Sequence, residues 1–126
     1  MIGFDDARHI HQILIEKHGG TSGIRDRKAL DAAISRPKAT FDGKDLYPDA
    51  VSKAAAIIES IITNHPFVDG NKRTGYVLMR LLLLEAKLDI DATEEEKYAF
   101  VIDISEGKSD FESIKSWIEE KLKHLP

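Results

Sequence analysis

The chain has 126 residues, which suits a single domain spanning residues 1–126. It contains no cysteine, so disulfide scaffolds and cysteine-based zinc sites are excluded. Its formal net charge is −4 and no block of Lys and Arg occurs, which argues against direct binding of nucleic acid through a broad basic surface.

Apolar residues recur with helical spacing throughout, and no stretch alternates convincingly with period two, so the sequence predicts an all-α fold. The first helix is predicted to start at Asp5 and to end at the pair Gly19-Gly20, where glycine can take the left-handed conformation that closes a helix. Its apolar face is predicted to consist of Ile10, Ile13 and Leu14.

The second helix is predicted to follow Asp26, a good N-cap residue, and to end at Pro37. Residues 37–48 are predicted to be irregular. The third and fourth helices, about Asp49–Asn64 and Asn71–Lys87, are apolar around most of their circumference. Both are therefore predicted to be central.

Two capping boxes mark the last two helices. Thr93 with Glu96 predicts a fifth helix that ends near Glu106, and the segment Ser109–Glu112 predicts a sixth helix that contains Leu122. The predicted architecture is a compact bundle of about six helices, in which one loop joins the two central ones.

The longest apolar run, Leu81–Leu84, is far too short to span a bilayer. Met1 to Phe4 lead directly into two aspartates, without the basic flank and apolar core of a signal peptide. We therefore expect a cytoplasmic protein without membrane contact. The histidines of the first helix, His9, His11 and His18, show no metal-like arrangement, and we expect His9 and His11 to be exposed to solvent.

The most polar stretch between the two most apolar helices is the loop His65–Arg73. A histidine titrates near neutral pH, so His65 is a candidate general base that accepts a proton from an attacking hydroxyl. Asp69 offers a hard oxygen ligand. Mg²⁺ usually binds through one or two carboxylates together with substrate phosphates, so one aspartate suffices if a nucleotide supplies the rest.

Gly70 allows a backbone to approach a ligand closely, and Asn71, Lys72 and Arg73 then open the fourth helix. The free N–H groups and partial positive charge of a helix N-terminus form an anion site. Lys and Arg are unfavourable at this end of a helix unless an anion lies between them. A general base, a metal ligand and a phosphate site are the groups that an enzyme uses when a hydroxyl attacks a nucleotide phosphate.

Each member of this loop also has a structural interpretation. A histidine at a helix end commonly caps or packs, an aspartate in this position can be an N-cap, and Asn-Lys-Arg can form a solvated first turn. The combination favours a functional site, because so polar a composition is unfavourable for a plain turn between two buried helices.

Residues 65–73, HPFVDGNKR, resemble the signature H-P-F-x-[D/E]-G-N-G-R-x-x-R of the Fic/Doc family. The resemblance covers roughly residues 5–90, and it is greatest to the death-on-curing (Doc) branch. It implies an all-α fold with His65 as general base, Asp69 as the ligand of Mg²⁺ carried by the nucleotide, and residues 70–73 as the anion hole. Phe67 would be a core anchor, and the loop Gly20–Arg25 a flap that aligns the target segment.

Two departures from the signature resemble the Doc branch. Lys72 replaces the glycine after the asparagine, and Tyr76 stands where AMP-transferring members carry a second arginine. The implied reaction is transfer of the γ-phosphate of ATP to a protein hydroxyl, that is, a protein Ser/Thr kinase activity. Transfer of a nucleotide monophosphate to a protein hydroxyl and a non-catalytic nucleotide-binding module remain the alternatives.

The resemblance also implies partners. Toxins of the Doc branch are usually paired with an antitoxin protein, and their target is the elongation factor that delivers aminoacyl-tRNA to the ribosome. We therefore expect the toxin of a toxin–antitoxin pair that arrests translation.

Overall fold

The computed structural model describes residues 1–126 as a bundle of six helices with two small strand pairs. The helices are α1 (Phe4–His18), α2 (Arg27–Ser35), α3 (Ala50–Asn64), α4 (Asn71–Glu85), α5 (Glu94–Ser105) and α6 (Phe111–Glu120). The strands are β1 (Thr40–Phe41), β2 (Lys44–Asp45), β3 (Leu88–Ile90) and β4 (Leu122–His124). The predicted all-α bundle of about six helices is confirmed.

The core is built around α3 and α4, the two helices predicted to be central. Five consecutive residues of α3, Ala54–Ile58, are buried, so this helix is enclosed on nearly every side. Gly75 lets α4 approach α3 closely, because a Cβ at this position would lie 3.1 Å from Cγ1 of Ile62. The loop that connects these two helices is therefore fixed at both ends by the core.

Helix starts follow the predicted local signals. Asp26 accepts a hydrogen bond from the amide of Ala29, and Thr93 forms a capping box with Glu96. Asp49, predicted only as the approximate start of the third helix, forms a capping box with Ser52. The start of the last helix was predicted from the wrong residue, Ser109. The N-cap of α6 is Asp110, which accepts a hydrogen bond from the amide of Ser113. Aspartate and serine are both strong N-caps, so adjacent candidates are not separated by sequence alone.

Three other predictions were wrong in detail. The buried residues of α1 are Ala7, His11 and Ile15, whereas Ile13 of the predicted face is 46% exposed. Residues 37–48 contain the β1–β2 hairpin. Leu122 belongs to β4, which pairs antiparallel with β3, so α6 ends before it. None of the helices combines the length and the apolar character that crossing a membrane requires.

An ion pair joins α4 to β3. Arg80 donates through Nε and Nη2 to the two carboxylate oxygens of Asp89, at 2.8 and 2.7 Å. These charge-assisted hydrogen bonds hold the pKa of Asp89 at about 2, below its ordinary value of 3.8. As the pH falls, the carboxylate of Asp89 is therefore protonated at a higher pH in the unfolded chain than in the folded protein.

The stabilisation by Asp89 is complete above about pH 4 and is lost as the pH falls through about 2. We expect Asp89→Asn to lose less stability than the wild type between neutral pH and about pH 2, because this proton uptake is absent from the variant. Urea denaturation at both pH values measures the difference. Asp103→Asn, which alters an exposed carboxylate without an ion pair on α5, is the control. Equal losses in wild type and Asp89→Asn would contradict the assignment.

Candidate functional site

The motif loop begins at His65, which ends α3 in a left-handed conformation with φ 48° and ψ 59°. A residue other than glycine is uncommon in this region and persists where its surroundings hold it. The imidazole is exposed, and no hydrogen bond joins it to Asp69 or to the first turn of α4. His65 therefore presents a free imidazole at the surface of the loop.

Arg25 holds the end of α3. Its guanidinium donates to the backbone carbonyl of His65 at 2.6 Å and to that of Asn64 at 2.7 Å. The last carbonyls of a helix have no partner within the helix, so a cationic side chain there satisfies them and stabilises the negative end of the helix dipole. The backbone of His65 is thus fixed independently of its imidazole.

The loop expected to be a flap lies directly against the motif loop. Ile24 and Phe67 form an antiparallel bridge, the amides of Arg25 and Asp26 donate to the carbonyl of Pro66, and the amide of Val68 donates to Gly23. These bonds make a short strand-like contact between two segments that are about 40 residues apart. The segment that precedes α2 therefore forms one wall of the site.

Asn71 fastens the other end of the loop. Its side-chain oxygen accepts from the amide of Phe67 and its side-chain nitrogen donates to the carbonyl of Phe67, both at 3.0 Å. The asparagine is buried, with 8% of its surface exposed. Its side chain is thus committed to the loop backbone, and only the backbone amide of Asn71 remains available at the start of α4.

Asp69 is exposed, and both of its carboxylate oxygens accept hydrogen bonds from backbone amides. One oxygen accepts from the amide of Thr21 at 3.1 Å and the other from the amide of Gly70 at 2.8 Å. These two hydrogen bonds, followed by the positive charges of Arg73 and Lys72, lower the pKa of Asp69 below its ordinary value. The carboxylate is therefore ionised at neutral pH.

Gly70 occupies the N-cap position of α4 with φ 76°, and no side chain caps this helix end. A Cβ at this glycine would lie 3.2 Å from Cδ1 of Ile15 in a backbone region that other residues rarely adopt. Lys72 and Arg73 are both exposed in the first turn. The uncapped amides and these two cations form a positively charged surface suited to an anion.

The residues present fit only one kind of metal site. Nowhere in the chain do three His, Cys, Asp or Glu side chains come together as a metal site. Asp69 has lone pairs left beyond its two backbone hydrogen bonds, so it can supply one ligand. A single carboxylate fits Mg²⁺ that is held mainly by phosphates, and it does not fit a resident ion held by protein groups alone.

A cavity of about 330 Å³ lies between α4 and α5, next to Lys72 and Arg73. Its walls are mostly apolar or aromatic and include Tyr76, Val77, Tyr98, Val101 and Ile102. Such a cavity beside an anion site has room for the nucleoside end of a nucleotide.

His11 contacts the motif loop, although the sequence did not predict it as part of the site. The prediction that His11 is exposed was wrong, because only 2% of its surface is accessible. Its imidazole stacks on the ring of Phe67, and its Nε2 lies 2.7 Å from the carbonyl oxygen of Asp69. The spacing Ala7–His11–Ile15 was the available signal, since steps of four residues lie on one helix face.

Known proteins resemble a large part of this chain. The chain is 43% identical over 83 residues to a protein named Toxin Doc from Mycolicibacterium smegmatis (strain ATCC 700084 / mc(2)155), and the matched region is 61% of this chain. That region is 64% of the relative, so the match spans less than two thirds of the relative's length. The profile of the Fic/DOC family matches residues 2–83, which include α1 to α3, the motif loop and most of α4. This chain therefore belongs to the Fic/DOC family.

Proposed function

We propose that this protein is the toxin of a toxin–antitoxin pair and that it transfers the γ-phosphate of ATP to a hydroxyl group of a protein target. The observation that carries the proposal is the content of one loop: a free imidazole, an ionised carboxylate and an uncapped, positively charged helix start within residues 65–73. The similarity to a protein named Toxin Doc supports the toxin role.

In the proposed reaction, His65 accepts the proton of the target hydroxyl as its oxygen attacks the γ-phosphorus. A new P–O bond forms to the target, the bond between the γ-phosphorus and the bridging oxygen breaks, and ADP leaves with that electron pair. The amides at the start of α4, with Lys72 and Arg73, stabilise the charge on the phosphates. Asp69 would hold Mg²⁺, which when bound neutralises phosphate charge.

Tyr76 supports phosphate transfer over AMP transfer. It stands where AMP-transferring relatives are expected to carry a second arginine, and its hydroxyl is buried without a hydrogen-bond partner. Burial raises the pKa of Tyr76 to about 12, so the side chain is neutral. A neutral phenol offers no positive charge to clamp a phosphate group, and Lys72 occupies space that a glycine would leave open.

The proposed partners are an antitoxin protein and a translation elongation factor as the phosphorylated target. Both follow from the resemblance to the Doc branch, and the name of the Mycolicibacterium relative supports the antitoxin. Phosphorylation of that factor would arrest translation, in which case production of the protein without its antitoxin stops cell growth.

The deciding experiment uses ATP labelled in the α or the γ phosphate. The purified protein is incubated with each nucleotide, Mg²⁺ and a bacterial extract, and label on protein is detected after electrophoresis. We expect label from the γ position alone. Label from the α position would instead identify a nucleotide monophosphate transferase, and no label from either position would favour a non-catalytic nucleotide-binding module.

Arg73 is expected to contribute to ATP affinity whichever phosphate is transferred. We expect Arg73→Ala to weaken ATP binding about 10- to 100-fold, since a hydrogen bond to a charged group contributes about 1.5–3 kcal/mol. Calorimetric titration with ATP measures the effect. Arg8→Ala removes an exposed arginine of α1 whose ion-pair partner is Asp5, and it should leave the affinity unchanged. Similar affinities of the two variants would mean that the anion site lies elsewhere.

A further inference from the structure

We infer that His11 is a positioning residue that fixes the orientation of the Asp69–Gly70 peptide and, through it, the carboxylate of Asp69. The inference concerns the geometry of the loop. It rests on the proposed function only where its effect is read as a rate of phosphate transfer.

The first observation is that His11 is enclosed by the site. It lies on α1 with 2% of its surface exposed, and its ring is parallel to that of Phe67, with the ring centroids 3.8 Å apart and the planes inclined by 3°. A Cβ added to Gly70 would lie 3.6 Å from Nε2 of His11. The imidazole is therefore in contact with the motif loop at both Phe67 and Gly70, and it cannot turn away without losing these contacts.

The second observation is the hydrogen bond of 2.7 Å between Nε2 of His11 and the backbone oxygen of Asp69. A carbonyl oxygen only accepts, so Nε2 must donate and carry the hydrogen. This requirement assigns the tautomer of His11 from the geometry of its partner.

The carbonyl that His11 binds belongs to the same peptide as the amide of Gly70. A peptide unit is planar, so fixing the direction of its carbonyl also fixes the direction of its N–H. That N–H donates to a carboxylate oxygen of Asp69 at 2.8 Å. His11 thus sets the direction of the peptide that opens α4, and this peptide in turn orients the carboxylate of the proposed metal ligand.

A histidine that only fills space would be replaceable by any flat ring, whereas a histidine that positions the peptide needs a hydrogen-bond donor. Variants that keep only the ring or only the donor therefore test the inference. His11→Phe keeps a ring that can stack on Phe67 but has no donor. His11→Gln lacks the ring but carries an amide nitrogen at about the position of Nε2. His9→Phe makes the same substitution at an exposed position two residues away and serves as the matched control.

The tautomer and the local order of the loop are read by NMR in the full-length protein. We expect long-range ¹H–¹⁵N spectra to show a hydrogen on Nε2 of His11. We expect hydrogen exchange at the amide of Gly70 to be about tenfold faster in His11→Phe than in the wild type, and close to the wild type in His11→Gln and His9→Phe. A hydrogen on Nδ1 with a bare Nε2, or unchanged exchange in His11→Phe, would overturn the inference.

The kinetic readout separates positioning from packing. We expect His11→Phe to lower kcat about 10- to 100-fold with little change in the KM for ATP, because supporting residues around a metal ligand commonly have effects of this size. His11→Gln should recover most of the rate. Equal losses in both variants would mean that stacking, not the hydrogen bond, matters. A wild type that transfers no phosphate would reject the proposed function, and the NMR result would still decide the role of His11.

Discussion

The variant His65→Ala is expected to lose phosphate transfer by about 10²- to 10⁴-fold, the range that a positioned general base contributes. The protein itself should remain folded. The imidazole of His65 is exposed and has no hydrogen bond, and the contacts that hold this residue go to its backbone, through the guanidinium of Arg25. The loss should therefore appear in kcat, measured with γ-labelled ATP, and not in the midpoint of urea denaturation.

A matched control is available at the other end of the chain. His124 is an exposed histidine on β4, far along the sequence from the motif loop, and His124→Ala should transfer phosphate at the wild-type rate. In a growth assay, cells that produce His124→Ala without an antitoxin should stop growing, whereas cells that produce His65→Ala should continue. If His65→Ala retains both transfer and growth arrest, the imidazole is not the base and the proposed mechanism is wrong.

Most helix starts were predictable because their signals are local. Asp26, Asp49 and Thr93 each cap a helix through an amide three residues further along the chain, so the information lies within a few positions. The central position of α3 and α4 was also predictable, because a helix that is apolar on all sides must be surrounded by protein.

The strands were not predictable, because each is only two or three residues long and because β3 and β4 pair over a long distance along the chain. The segment Leu88–Ile90 pairs with Leu122–His124, more than thirty positions away, and segments this short show no period of two. Leu122 fits the apolar pattern of α6, yet α6 ends at Glu120, and Leu122 pairs with Ile90 in the strand pair.

The site shows the same division between local and distant information. The residue types of His65, Asp69 and Arg73 suggested a phosphate-binding loop, since their chemistry is intrinsic to each side chain. The packing of His11 depends on Phe67 and Asp69, which lie about 55 positions away. The contact of Arg25 with the end of α3 spans 40 positions. Helical periodicity can place His11 on the buried face of α1, but it does not identify the distant partner in either contact.

Phe67 is expected to be the most important residue of the loop for stability. It is 1% exposed, its ring stacks on His11, and its backbone is bound by the side chain of Asn71. Truncation of a buried phenylalanine typically costs about 3–5 kcal/mol, through lost apolar burial and the cavity left behind. We expect Phe67→Ala to lower the free energy of unfolding by this amount, a large part of the 5–15 kcal/mol typical of a domain.

Urea denaturation measures this loss, and Phe41→Ala provides the control. Phe41 lies on β1 with 75% of its surface exposed, so the same atoms are removed with little burial to lose. Its effect should stay within about 0.5 kcal/mol. A loss in Phe67→Ala as small as that in Phe41→Ala would show that the motif loop is not anchored through this ring.

Phe67→Leu refills most of the space, so it should recover stability while lacking the aromatic surface on which His11 stacks. If Phe67→Leu folds stably yet transfers phosphate slowly, the ring supports the site as well as the core.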